Sequence, residues 1–288
     1  MIPSATVVRL AIRLMSVAPV TPIRWIARGC GAVAYVVAGA RRATLLENQR
    51  YLAPNDTPRQ HRRRARRTFC NLLDAAVDLW RLPTLPRGRF ESLIRIEGRE
   101  HLDAALALGR GVIIAAPHLG PYELGGAWLA HAGYPVHGMV ELIDPATNAA
   151  LARYREATGM KLISRSGGLR AALRVLRGGE VVLLVADRVV GEGSEGLPVP
   201  FGSGTRAVPT GPATLSLATG APIIVGYITR RPEGASRYLL KLEPAIVPEA
   251  IGQKQQDRER ITRQVGERLA TAVQSHSDEW FVFQPAWI

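Results

Sequence analysis

The sequence has few cysteines and few aromatic residues, and its N-terminal part has no long uninterrupted apolar run. Two cysteines among 288 residues are too few for a disulfide scaffold, and this scarcity fits a reducing compartment. Aromatic residues make up 6% of the chain and hydrophobic residues 47%. This composition is typical of a globular protein and excludes disordered, collagen-like and fibrous classes.

Several common motifs for chemistry are also missing. There is no P-loop and no zinc-ligand spacing, so we expect no bound metal. The glycines of Gly191-Glu-Gly-Ser-Glu-Gly196 precede Leu-Pro-Val-Pro and not a helix, which argues against a dinucleotide fingerprint. Phe201-Gly-Ser-Gly-Thr205 comes close to a serine-hydrolase elbow without matching it.

The positive charge is concentrated near the N-terminus. The chain has a net charge of +13, and residues 1–70 hold thirteen arginines but two acidic residues, so this part alone carries +11. Such polarisation indicates an attachment segment whose partner is either anionic lipid or nucleic acid.

The N-terminal residues favour lipid. Residues 2–40 are apolar but interrupted by arginines, and the longest charge-free runs there, 14–23 and 29–40, fall short of the roughly 20 residues that span a bilayer. Arg9 and Arg13 share one helical face, as in interfacial helices. The basic run at residues 61–67 has no aromatic stacking platform, so we do not expect nucleic acid. We predict an anionic membrane surface as partner; the alternative is that these helices pack on the rest of the protein.

Beyond residue 91, apolar runs alternate with helical patterns. The runs at residues 111–116, 181–186 and 222–228 are typical of strands buried on both faces. A further strand is predicted at 238–243, and helices are predicted at 121–132, 147–158, 168–176, 209–218 and 256–275. We predict an α/β domain over residues 91–288, with a central, mostly parallel sheet flanked by helices, after a basic helical segment over residues 1–90.

The strongest chemical signal is Pro117-His118-Leu-Gly-Pro-Tyr-Glu123. It follows the strand at 111–116, which places His118 at the strand's carboxyl end, where ligands usually bind in such sheets. Glu123 would lie in the first turn of the next helix and could reach back to His118, so the pair could act as a general base and its orienting carboxylate. An acidic residue in a first turn is also favoured by the helix N-terminus alone.

This motif resembles the His-x4-Asp/Glu motif of the lysophospholipid-type acyltransferase superfamily. The rest of the chain resembles its branch of lipid A late acyltransferases and phosphatidylinositol mannoside acyltransferases. The matching motifs are Asn48 with Leu52 and Pro54, Asp78-Leu-Trp80, Glu97-Gly-Arg-Glu100, Gly109-Arg-Gly111, Gly178-Gly-Glu180, Ala186-Asp187-Arg188, Val199-Pro-Phe-Gly202 and the helix at 209–220. The pair Glu141 and Arg155 and the end Trp280-Phe-Val-Phe-Gln-Pro-Ala-Trp287 resemble the mannoside enzymes, although Glu123 stands where that branch commonly has Asp.

The resemblance implies a membrane-associated O-acyltransferase. It would move a fatty acyl chain from acyl-CoA or acyl carrier protein to a hydroxyl of a glycolipid, in the first place a phosphatidylinositol mannoside. His118 would deprotonate that hydroxyl and Glu123 would orient His118. The residues implied around the headgroup or the donor's phosphates are Glu141, Arg155, Asp187, Arg188 and Arg206.

The resemblance also implies that the acyl donor is a co-substrate and that no other cofactor is needed. The expected location is the cytoplasmic face of the cell membrane, where the protein would be peripheral or interfacial. Two alternatives stay open at this point: an acyltransferase for lipid A or another glycerolipid, and a non-catalytic lipid-binding protein.

Overall fold

The structure is a computed structural model that describes residues 19–82, 85–140, 159–164, 168–189, 196–231, 233–249, 251–285 and 287–288. The helices in these ranges are α1 (Val20–Val37), α2 (Gly39–Leu52), α3 (Pro58–Arg81), α4 (Arg87–Leu93), α5 (Arg99–Ala107), α6 (Tyr122–His131), α7 (Gly168–Arg177), α8 (Gly211–Thr219) and α9 (Lys254–Ser275). The strands are β1 (Ile94–Glu97), β2 (Val112–Ala116), β3 (Val136–Val140), β4 (Lys161–Ser164), β5 (Val181–Val185), β6 (Gly196–Phe201), β7 (Gly204–Pro209), β8 (Ile223–Arg230) and β9 (Tyr238–Leu242). A short 3-10 helix, Ser277–Glu279, follows α9.

Seven strands form one sheet in the order β1-β9-β8-β2-β5-β3-β4. Every neighbouring pair is parallel except β8 and β9, which are antiparallel. The prediction of a central, mostly parallel sheet is therefore confirmed. Because β2, β5 and β8 are parallel neighbours, their carboxyl ends lie side by side at one edge of the sheet.

The sheet is covered by helices on both faces. All five residues of β2 are buried, and their side chains alternate between the two faces as strand geometry requires. Ile113 and Ala115 pack into a core with residues of α7, α8 and α9. Val112 and Ile114 pack into a second core with residues of α4, α5 and α6. This double burial explains why the strand has a continuous apolar sequence.

Most predicted elements of the α/β part are present, with shifted boundaries. The helix predicted at 209–218 begins at Gly211, because residues 204–209 form β7 of the β6–β7 hairpin. The short strands β1, β3 and β4 were not predicted. The helix predicted at 147–158 and the N-terminal residues 1–18 lie outside the described residues.

Helix α3 contains the basic run, and Thr57 caps its N-terminus. The backbone N–H of Thr57 donates to the side chain of Gln60 (2.7 Å), and the hydroxyl of Thr57 accepts from the backbone N–H of Gln60 (3.4 Å). Pro58 is the first helical residue. This capping box satisfies amide groups that a helix start leaves unpaired.

Two carboxylates at the other end of α3 join it to the sheet. Asp74 accepts from Arg230 and Arg237, each at 2.6 Å. Asp78 accepts from the hydroxyl of Tyr238 (2.7 Å) and from Nε of Arg237 (2.8 Å). The N-terminal helices are thus attached at the carboxyl end of β8. The predicted boundary between the N-terminal segment and the α/β domain at residue 90 stays a prediction. No helix in the described ranges is both long and apolar enough to cross a bilayer.

Candidate active site

The candidate site lies where β2 and β5 end. Ala116 is paired with Val185 at the last position of both strands, and the backbone N–H of Ala186 continues the ladder to the carbonyl of Ala116 (2.8 Å). His118 and Asp187 each follow two residues after these strand ends. The parallel register therefore brings together two side chains that are 69 positions apart in sequence.

Asp187 holds His118 through two hydrogen bonds. Its Oδ1 lies 2.6 Å from Nδ1 of His118, and its Oδ2 accepts from the backbone N–H of His118 (2.9 Å). Oδ2 also accepts from the indole N–H of Trp280 (2.7 Å). Burial alone raises the pKa of the fully buried Asp187, but the charge of His118 and these hydrogen bonds outweigh it and lower the pKa to about 2.

The protonation of the imidazole follows from this arrangement. An ionised carboxylate can only accept, so Nδ1 of His118 carries the proton and Nε2 has a free lone pair in the neutral ring. The His118 side chain is 16% exposed, and the ring of Tyr122 stands edge-on to it at 5.4 Å between centroids. A partly exposed imidazole with one nitrogen fixed by a carboxylate is suited to accept a proton from a substrate.

The C-terminal segment pairs with the loop that contains His118. The backbone N–H of Phe281 donates to the carbonyl of His118, and the N–H of Gly120 donates to the carbonyl of Glu279, both at 2.8 Å. Gly120 has a φ of +56°, and a Cβ there would lie 2.2 Å from the carbonyl oxygen of Ile228. The loop therefore requires glycine at this position, both for its backbone conformation and for the close approach.

Arg206 lies behind Asp187 and is fully buried. Its guanidinium carbon lies 4.7 Å from the ring centroid of Trp280, 5.0 Å from that of Trp287 and 5.8 Å from that of Phe201. None of its three nitrogens has a hydrogen-bond partner among the described residues. Burial lowers the pKa of Arg206, the charge of Asp187 raises it and the charge of Arg188 lowers it, and together these effects bring the pKa to about 10. The side chain is thus a charged centre enclosed by aromatic rings.

The predicted site residues have different outcomes. The structure places Asp187 on Nδ1 of His118. Glu123 is half-buried in the first turn of α6, and the orienting role predicted for it stays a prediction. Arg188 directly follows Asp187 and is half-buried. Glu141 and Arg155 lie outside the described residues.

Sequence reasoning placed Asp187 near the substrates and did not pair it with His118. It also missed Trp280 as a hydrogen-bond donor to Asp187. The available signal was that both the run before His118 and the run before Asp187 are apolar. Two parallel strands with polar residues just beyond their ends are expected to present these residues at the same edge of a sheet.

Comparisons with known proteins agree on one family. The family model of the bacterial lipid A biosynthesis acyltransferases matches residues 1–288. A phosphatidylinositol mannoside acyltransferase of Mycobacterium tuberculosis (strain H37Rv) is 29% identical over 218 residues, which are 73% of this chain and 66% of the relative. One of Mycolicibacterium smegmatis is 26% identical over 260 residues, 83% of this chain and 82% of the relative. The chain thus spans slightly less than two thirds of the length of the M. tuberculosis relative.

One solved structure is similar at a low level. It is the 1-acyl-sn-glycerophosphate (LPA) acyltransferase PlsC of Thermotoga maritima, with a TM-score of 0.39 and 14% identity over 92% of this chain and 97% of that chain.

A pH-dependent contribution to stability is expected from Glu279, whose backbone pairs with Gly120. Burial raises the pKa of its carboxyl to about 7, from an ordinary 4.5. A raised folded-state pKa means that the contribution is full below pH 4.5 and is lost as the pH rises through about 7. Glu279→Gln does not titrate, so wild type should lose up to about 3 kcal/mol relative to this variant between pH 4.5 and pH 8.

Urea unfolding of both proteins at several pH values measures this difference. Glu267→Gln, on the exposed side of α9, is the matched control and should follow wild type at every pH. Equal pH profiles for wild type and Glu279→Gln would contradict the assignment.

Proposed function

Because the chain belongs to the bacterial lipid A biosynthesis acyltransferase family, we propose that it transfers a fatty acyl chain from a thioester donor to a hydroxyl of a glycolipid. The names of the family and of the relatives indicate an acyltransferase. The observation that carries the proposal is the His118–Asp187 pair at the carboxyl ends of β2 and β5. Asp187 occupies Nδ1, so Nε2 is the nitrogen of His118 that can act as a base.

The proposed reaction uses His118 twice. Nε2 takes the proton of the acceptor hydroxyl while the hydroxyl oxygen attacks the thioester carbonyl carbon. The resulting tetrahedral oxyanion then expels the sulfur, and His118 returns the proton to the leaving thiolate, which gives an ester and a free thiol. Asp187 stabilises the imidazolium between these two steps and keeps the ring oriented. The acceptor supplies the nucleophilic oxygen, so the protein needs no nucleophile of its own.

Arg188 and Arg206 are proposed to have different roles beside this pair. The half-buried Arg188 is a candidate for contact with an anionic part of either substrate. Arg206 is fully enclosed, so its placement favours an electrostatic effect on Asp187 and support of Trp280 over direct contact with a headgroup. Glu141 and Arg155 are kept as proposed substrate-binding residues on the family resemblance alone.

A phosphatidylinositol mannoside is the proposed acceptor, and acyl-CoA or acyl carrier protein is the proposed donor. The two relatives compared above support this acceptor by name. The name of the family supports lipid A as a second candidate. Both acceptors are sugar-containing lipids with hydroxyl groups, so the same base chemistry serves either of them.

We also propose that the N-terminal helices attach the protein to the cytoplasmic face of the membrane. Helix α1 has large apolar side chains exposed to solvent, namely Trp25, Ile26, Val33, Val36 and Val37. Helix α3, packed against α1, exposes five arginines, Arg59, Arg62, Arg63, Arg66 and Arg67. Apolar side chains that insert among lipids, next to arginines that attract anionic headgroups, are typical of interfacial helices.

Acyl transfer is tested with radiolabelled acyl-CoA or acyl carrier protein and purified phosphatidylinositol mannosides or lipid A precursor. We expect His118→Ala to abolish transfer and Asp187→Asn to lower kcat at least about a hundredfold, because the imidazole loses the carboxylate that orients it. The folding control is circular dichroism of each variant. Full activity of His118→Ala, or no transfer by wild type from either donor to either acceptor, would contradict the proposal.

Membrane attachment is tested by co-sedimentation with anionic and neutral vesicles. The double variant Trp25→Glu/Val33→Glu should bind anionic vesicles at least about tenfold more weakly, because two apolar side chains no longer insert. The matched control Leu108→Glu/Leu169→Glu changes two exposed apolar side chains outside the N-terminal helices, one just after α5 and one in α7, and should bind like wild type. Equal losses in both double variants, or binding that does not depend on anionic lipid, would contradict the proposal.

A further inference from the structure

A cavity of about 670 Å³ lies between α1, α3, the end of β8 and the 3-10 helix. Four arginines line it: Arg28 from α1, Arg66 and Arg67 from α3, and Arg230 from β8. Its acidic lining residues are Asp278 and Glu279. The volume is in the range of pockets that bind small molecules.

The carboxylates around the cavity do not balance its positive charge. The buried pair Asp74 and Asp78 faces four arginines, because Arg24 and Arg28 join Arg230 and Arg237 around it. This cluster therefore has an excess charge of +2, and two of its arginines, Arg28 and Arg230, reach the cavity.

The arginines of α3 add to this excess. Arg67 is paired with Asp278 at 2.9 Å, which neutralises one charge. Arg66 has no acidic partner in the part of the chain that the structure describes, and it lines the cavity. Burial raises the pKa of Glu279 to about 7, so at neutral pH this residue offsets only part of one positive charge. An anion is the ligand that such a lining would bind.

The cavity is connected to the His118 loop by the C-terminal segment. The carbonyl of Glu279 accepts from the N–H of Gly120, and the next residue, Trp280, donates to Asp187. Arg230 ends β8, which lies beside β2, so the cavity is at the same edge of the sheet as His118. A ligand bound here would be near the site of the proposed reaction.

We infer that this arginine cavity binds a phosphate ester group of one of the two substrates. The inference rests on the proposed function, since both substrate classes contain such a group. In the donor it belongs to the nucleotide and pantetheine part; in the acceptor it is the phosphodiester of the lipid headgroup. The guanidinium groups of Arg28, Arg66 and Arg230 surround the phosphate oxygens, and Arg66 supplies a charge that no carboxylate of the described residues neutralises.

Isothermal titration calorimetry with two soluble probes tests this inference. Coenzyme A represents the donor, and glycerophosphoinositol represents the acceptor headgroup. Arg66→Gln should weaken binding of at least one probe about tenfold or more, because a charge-assisted hydrogen bond is lost. The probe that responds identifies the source of the phosphate. The control is Arg62→Gln, which removes an equal charge from α3. Arg62 lines a neighbouring cavity and not this one, so the variant should bind both probes like wild type.

The inference is overturned if neither probe binds wild type, if Arg66→Gln changes neither dissociation constant, or if Arg62→Gln weakens binding as much as Arg66→Gln. Acyl transfer is measured on the same preparations. Arg66-dependent binding without any transfer by wild type would contradict the proposed function and leave the cavity assignment standing. Transfer by wild type without Arg66-dependent binding would overturn the cavity assignment and leave the proposed function standing.

Discussion

The buried carboxylate of Asp187 joins three separate parts of the chain. It receives hydrogen bonds from the loop after β2, through the ring and backbone of His118, and from the C-terminal segment, through Trp280. An ionised carboxylate without these partners would be costly to bury, since it would lose its hydration without compensation. The same contacts that make its burial possible also fix the imidazole, so the stability of this region and the geometry of the proposed base depend on one group.

Positive charge is organised around carboxylates at two further places. Behind the site, Arg206 is enclosed by three aromatic rings, and its charge faces Asp187. At the end of β8, the carboxylates of Asp74 and Asp78 hold the N-terminal helices to the sheet but leave an excess of arginine. Some of the described arginines of the basic N-terminal segment therefore form ion pairs inside the protein. The others face solvent or the arginine cavity.

The sequence predicted the parts of the fold that depend on local patterns. Continuous apolar runs identified β2, β5 and β8, and their position identified His118 at a strand end. The short strand β3 contains His137 and Gly138, and β4 begins with Lys161, so neither is a continuous apolar run. The β6–β7 hairpin contains three prolines and three glycines, residues that usually indicate loops, and so it was not predicted as strand.

The partner of His118 was missed for a different reason. Spacing in the sequence shows neighbours along the chain, such as Glu123, whereas Asp187 is brought near His118 by the register of the sheet. Family resemblance pointed to Asp187 and Trp280 but not to their contact.

We expect the contact with Asp187 to set the proton position on His118. Long-range proton–nitrogen NMR of the histidine-labelled protein measures this directly on the neutral imidazole. We predict a proton on Nδ1 and none on Nε2 in wild type, a state that Glu123→Gln keeps and Asp187→Asn loses. A proton on Nε2 in wild type, or a spectrum of His118 that Asp187→Asn leaves unchanged, would contradict it.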